Sequence, residues 1–113
     1  MFNPNWVGQD PRQEDAAVEF VFHDCPPDRL DWALSTRIFF YARNAMAEPC
    51  PLASWPSVPA SYIVCTDDRT ITPEWQRKAA REYLGVEPIE ISGGHCPNVS
   101  RPEVLADVLD RLG

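Results

Sequence analysis

Two stretches decide the fold: Tyr62-Ile63-Val64-Cys65-Thr66-Asp67-Asp68-Arg69 and Ile89-Glu90-Ile91-Ser92-Gly93-Gly94-His95. Each begins as a short apolar run and passes into turn residues, the pattern of a buried strand. Between them Thr72-Pro73 supplies an N-cap and a first helical residue. Trp75, Ala79, Tyr83 and Leu84 form the apolar side of that helix, and Gly85 is placed to end it. After His95, Ser100-Arg101-Pro102-Glu103 has the capping-box pattern. It opens a last helix whose Val104, Leu105, Val108, Leu109 and Leu112 are expected to pack inward. The C-terminal half therefore reads β-α-β-α, with strands at about 60–65 and 87–91. Strands joined through one helix pair in parallel with a right-handed crossover.

Working outward, two parallel strands make a poor core, because parallel strands are normally covered on both faces within a larger sheet. The first strand can pair with the second on one side only. Its other edge is left open, and an open apolar edge invites another chain. Upstream, Val18-Glu19-Phe20-Val21-Phe22 reads as a short strand. Pro26-Pro27-Asp28 then opens a helix with Leu30, Leu34, Ile38, Tyr41 and Ala45 on one face. Phe39, Phe40 and Met46 widen that face beyond what a small soluble helix needs, so the helix should cover something else. Residues 1–16, with Pro4 and Pro11, are polar and expected to be irregular. Pro49-Cys50-Pro51 and Trp55-Pro56-Ser57-Val58-Pro59 make a Pro-rich connector.

The 113 residues are enough for one small domain. Ten basic residues against 17 acidic ones, net −7, argue against a nucleic-acid surface, which needs clustered Lys and Arg. No apolar stretch approaches the ~20 residues that span a bilayer, and the polar start is not a signal peptide. A soluble, cytoplasmic protein with no membrane partner is expected. Cys25, Cys50, Cys65 and Cys96 are scattered without a CxxC, so a disulfide framework is not expected. His23-Asp24-Cys25 and His95-Cys96 match no metal spacing, and no metal or organic cofactor is called for.

The chemistry lies in Asp68 and His95, an acid and an imidazole at the ends of successive strands. That placement suits a relay in which the carboxylate orients the imidazole and the imidazole takes a proton from a nucleophile. The usual nucleophile is a Ser on a Gly-x-Ser-x-Gly turn. None of Ser35, Ser54, Ser57, Ser61, Ser92 and Ser100 sits between glycines in that way. Taken singly, Asp68 reads as a turn residue and His95 as part of a Gly-rich loop. His23 is read as structural. Cys96 is read as a structural thiol rather than a substitute nucleophile, because adjacent loop residues seldom point to a common centre. Glu74, Arg77, Lys78 and Arg81 read as a solvated helix face.

From Val58 to Leu112 the chain resembles the C-terminal part of the α/β-hydrolase superfamily, and is similar to its small esterase-like members, the plant methyl esterases and bacterial homologues. The resemblance is carried by Tyr62 to Arg69, Pro73-Glu74-Trp75-Gln76-Arg77, Leu84 to Ile91, Gly93-Gly94-His95 and Arg101-Pro102-Glu103. The 27-residue step from Asp68 to His95 suits it. Phe22 to Asp28 and the helix after it are similar to the lid inserted before the acid-bearing strand. The resemblance implies a partial α/β-hydrolase fold, with a lid-like segment and connector at 1–57 and the β-α-β-α unit at 58–113. It makes Asp68 the triad acid, Asp67 its rival, and His95 the base. The nucleophile and oxyanion-hole amides belong to an N-terminal half that these residues do not contain. Aromatic residues of the first half, among them Trp6, Phe22, Trp32 and Phe39, line either an acyl pocket or a core or oligomer interface. The expected substrate is a small-molecule ester. The expected partner is a complementary Ser-bearing half or a second copy of the chain, in a homo-oligomer.

Overall fold

In the computed structural model, which describes residues 1–37 and 48–113, the two apolar runs are strands. β1 (Ile63–Cys65) and β2 (Ile89–Ile91) pair in parallel, with Ile63 opposite Ile89 and Cys65 opposite Ile91. Among the described residues the sheet has only these two strands, so the other edge of β1 is unpaired, as the sequence implied. Cys65 and Ile91 pack with Val108 of the last helix, flanked by Ile63 and Ile89. Val64 points the opposite way and is fully buried.

Helix α3 (Pro73–Ala79) connects the strands and continues through a wider π-helical turn, Ala80–Leu84. Pro73 takes the first helical position, and Gly85 ends the helix at φ +67°, a conformation that L side chains adopt at a cost. Thr72 is the N-cap residue but makes no side-chain cap; its hydroxyl donates to the Met1 carbonyl. The inward positions are Gln76, Ala79 and Ala80, and past them the wider turn carries Tyr83, expected inward, to an exposed position.

The last helix, α5 (Pro102–Leu112), follows a single turn, α4 (Pro97–Ser100). The expected capping box does not form. Arg101 is the N-cap, the Ser100 hydroxyl donates to the Cys96 carbonyl, and Glu103 pairs with Arg29 at 2.8 Å. Val108 is buried, but Val104, Leu109 and Leu112 are 39%, 53% and 45% exposed. A two-stranded sheet covers too little of the helix to bury its whole apolar face.

The N-terminal half departs most from the sequence reading. α1 (Glu14–Ala16) runs into a π-helical segment, Ala17–Val21, where a strand was expected. The buried positions Ala16, Ala17, Phe20 and Val21 have helical spacing, and the preceding alanines supply the face that an alternating reading of 18–22 ignores. α2 (Pro27–Thr36) ends earlier than the apolar periodicity suggests. The Ser35 and Thr36 hydroxyls both donate to the Trp32 carbonyl, and Arg37 turns extended. Ile38, Phe39, Phe40, Tyr41, Ala45 and Met46 lie outside the described residues. Ala17, Val21, Phe22 and Ala33 form a second core, joined by Trp6, Cys25, Leu30, Leu34, Cys96 and Val99. Residues 1–11 are not loose: Phe2 bridges Ile71 in antiparallel sense, and the Asn3 amide donates to the Thr70 carbonyl at 2.9 Å. No helix among the described residues is long and apolar enough to cross a membrane.

Val64 is the test of this core. Val64→Ala deletes two buried methyl groups and leaves a cavity, so the unfolding free energy in urea should fall by about 2 kcal/mol. A loss below about 0.5 kcal/mol would mean that the β1–β2 layer is not packed as described.

Candidate active site

β1 and β2 deliver Asp68 and His95 to one end of the sheet. Past the strands the two chains stay zipped: the Thr66 amide donates to the Ile91 carbonyl and the Asp67 amide to the Gly93 carbonyl, both at 3.0 Å. The chain then turns, and the Asp68 side chain folds under it into a buried position. Its Oδ1 accepts the amides of Thr70 (2.7 Å) and Ile71 (3.0 Å). Its Oδ2 accepts Gln76 Nε2 and His95 Nδ1, each at 2.9 Å. Gln76 is itself fixed, donating also to the Ile71 carbonyl at 2.9 Å.

This carboxylate is ionised at neutral pH. Burial pushes its pKa up, but the hydrogen bonds from His95, Ile71 and Thr70 outweigh that and hold it below the ordinary 3.8. An ionised carboxylate only accepts, so the bonded His95 Nδ1 carries a proton, which leaves Nε2 as the basic nitrogen of the neutral ring. Asp67, the rival acid, is exposed and engaged elsewhere. Its Oδ2 accepts the Gly93 amide (3.1 Å) and the Thr66 hydroxyl (3.3 Å).

His95 lines an open cavity of about 780 Å³, walled mainly by apolar groups that include Trp6, Phe22, Ile71 and Cys96. Phe22 therefore reaches the cavity while also belonging to the second core. Trp32 is 60% exposed on α2 and is not among the residues lining the cavity, and Phe39 lies outside the described residues. The Cys96 thiol is pushed up to about 12, chiefly by burial, so it stays protonated at neutral pH and is a poor nucleophile.

Gln76 carried no role in the sequence, because eight residues separate it from Asp68 and neither helical nor strand spacing joins them. The turn after β1 brings them together. An uncharged polar residue in helical step with Ala79 and Ala80 was the available signal. His23 and Asp24 also reach this region: His23 Nε2 donates to the Asp67 carbonyl (2.9 Å), and Asp24 Oδ2 accepts the Gly94 amide (2.8 Å).

The comparisons with known proteins give the family. Residues 2–108 match the alpha/beta hydrolase family, and the chain belongs to it. It is 40% identical over 92 residues to the probable hydrolase R7 of Phoma sp., covering 74% of this chain and 38% of that protein. It is 25% identical over 96 residues to the alpha/beta hydrolase nvfD of Aspergillus novofumigatus, covering 84% and 38%. To methylesterase 8 of Arabidopsis thaliana it is 43% identical over 54 residues, covering 47% and 20%. The chain thus spans less than half the length of these relatives. No solved structure matches it significantly.

Because the folded Asp68 pKa is depressed, ionised Asp68 contributes stability that is fully present above the ordinary value of 3.8 and is lost as pH falls through the lower folded value. Urea denaturation as a function of pH should therefore show a shallower acid decline for Asp68→Asn than for the parent. Superimposable pH slopes would contradict the depressed pKa.

Proposed function

We propose that this chain supplies the acid and the base of a Ser-His-Asp centre that hydrolyses small carboxylic esters. The seryl nucleophile and the oxyanion-hole amides come from residues outside these 113. The observation that carries the reading is the buried, four-fold hydrogen-bonded Asp68 joined to His95 Nδ1 at 2.9 Å beside an apolar cavity. Asp68 holds the imidazole in the Nδ1–H tautomer. His95 Nε2 takes the proton as the seryl oxygen attacks the ester carbonyl, then returns it to the departing alcohol. A water deprotonated by the same nitrogen then attacks the acyl carbonyl, the bond to the seryl oxygen breaks, and the imidazolium returns the proton to that oxygen as the acid leaves. Asp68 stays ionised throughout and stabilises the imidazolium. Phe22 and the apolar wall around it receive the acyl part. The unpaired edge of β1 is where the sheet carrying the Ser joins, and the methylesterase name of one relative supports an ester as the substrate class.

The test is complementation. The purified chain should not hydrolyse a p-nitrophenyl ester, whereas the chain assembled with a Ser-bearing N-terminal half of an α/β-hydrolase should. His95→Ala should then cut kcat by about 10⁴-fold or more. A verified complex that stays inactive contradicts the reading.

Self-association is a second reading, supported by the open β1 edge and by the exposed Val104, Leu109 and Leu112 of α5. Light scattering on the purified chain should then give a discrete oligomer without esterase activity; a monodisperse monomer contradicts it.

A further inference from the structure

The pair His23-Asp24, which neither the fold nor the hydrolytic reading uses, lies across the two loops that carry Asp68 and His95. We propose that it is a positioning staple: His23 holds the acid loop, Asp24 holds the base loop, and together they set the Asp68–His95 geometry from the segment that precedes α2. The proposal rests on the reading of Asp68 and His95 as acid and base.

Both contacts fall one residue away from the reacting groups. His23 Nε2 donates to the carbonyl of Asp67, the neighbour of Asp68, at 2.9 Å. Asp24 Oδ2 accepts the amide of Gly94, the neighbour of His95, at 2.8 Å. The loops bond directly to each other as far as Asp67 and Gly93. Beyond that point the main chain leaves the ladder, and the buried Gly94 N–H finds its acceptor in Asp24 rather than in the sheet. A charged acceptor makes this bond stronger than an amide–amide one.

The approach is close enough to dictate sequence on both sides. A Cβ at position 94 would lie 2.7 Å from Asp24 Oδ1 and 2.8 Å from His23 Nε2, so only Gly lets the dipeptide reach the loop. Gly93, at φ +130°, clears room for Arg101, whose Nε lies 3.6 Å from Asp24 Oδ2 and balances its charge. Burial pushes the Asp24 pKa up, but the hydrogen bonds from the Gly94 amide and the Ser100 hydroxyl, with smaller contributions beside them, together hold it below the ordinary value, so Asp24 is anionic at neutral pH.

The staple is itself anchored. Phe22 on one side is buried in the second core, and on the other the Cys25 amide closes a turn onto the Phe22 carbonyl at 3.0 Å. One turn on, Arg29 binds the Ser100 carbonyl (3.3 Å) and Glu103 (2.8 Å), tying α2 to the chain beyond His95. A histidine displaced by about 1 Å loses on the order of 10²-fold in rate, so a residue that fixes the amide before His95 governs the base without touching substrate.

The experiment is ¹⁵N-edited NMR of the His95 ring in the full 113-residue chain, which needs no ester turnover. In the parent, His95 should show a proton on Nδ1 protected from solvent exchange. Asp24→Ala and His23→Ala should each weaken that protection about tenfold or more in protein still folded by circular dichroism. Asp24→Asn and His23→Gln, which keep an acceptor and a donor, should restore it. Arg81→Ala, which breaks the exposed ion pair with Glu87 away from the staple, should leave it unchanged. Undiminished protection in folded Asp24→Ala and His23→Ala overturns the proposal, as does an unprotected Nδ1 in the parent. If Asp24→Ala fails to fold, His23→Ala against His23→Gln decides. An inactive complex in the complementation assay would reject the hydrolytic reading and leave these NMR outcomes standing.

Discussion

The Asp68 carboxylate is the interaction on which the rest of the site depends. A buried carboxylate costs several kcal/mol unless its lone pairs are matched, and here each is matched from a different direction. Two amides come from the turn that follows β1, one amide group from α3, and one imidazole from the loop after β2. Removing any one donor leaves part of a buried charge unsatisfied. The β-α-β unit is thereby closed around a point charge at its end as well as around the Cys65, Ile91 and Val108 cluster in its middle. The same bonds that make the charge tolerable fix the histidine tautomer, so the stability of the turn and the orientation of His95 share one set of contacts.

That economy contrasts with the unfinished periphery. Among the described residues β1 has one partner and one bare edge, and Val104, Leu109 and Leu112 of α5 are exposed. A sheet of two short parallel strands cannot cover a helix of eleven residues. The N-terminal half compensates locally rather than completing the sheet. Phe2 and Asn3 bridge to the acid turn, and Trp6 and Phe20 meet with ring centroids 5.4 Å apart. Cys96 and Val99 from the base loop join the core built by Ala17, Phe22 and Ala33. Asp68 and His95 are thus held from both the strands and the N-terminal helices.

Legibility in the sequence followed the range of the interactions. Strand and helix order in the C-terminal half, the Gly85 stop and the pairing of Asp68 with His95 were readable, because short apolar runs, Pro and Gly placement and motif spacing are local signals. The segment 18–22 has the alternation of a strand but folds as a helix, because five alternating residues carry less information than the helical spacing begun at Ala16 and Ala17. Ser100 and Glu103 have the letters of a capping box, but the Cys96 carbonyl one turn back claims the Ser100 hydroxyl and the distant Arg29 claims Glu103. Gln76, His23 and Asp24 were legible only as residue types. Their partners lie 8, 44 and 70 positions away, and nothing in a single sequence ties such positions together.

On the proposed reading His95, held by Asp68, is the base for a seryl hydroxyl that comes from outside these residues. A crystal structure of the chain assembled with a Ser-bearing α/β-hydrolase half tests it most directly. The account predicts the seryl Oγ within about 2.6–3.2 Å of His95 Nε2, with Asp68 still on Nδ1. A seryl oxygen remote from His95, or a His95 turned away from Asp68 in the assembled protein, would contradict it.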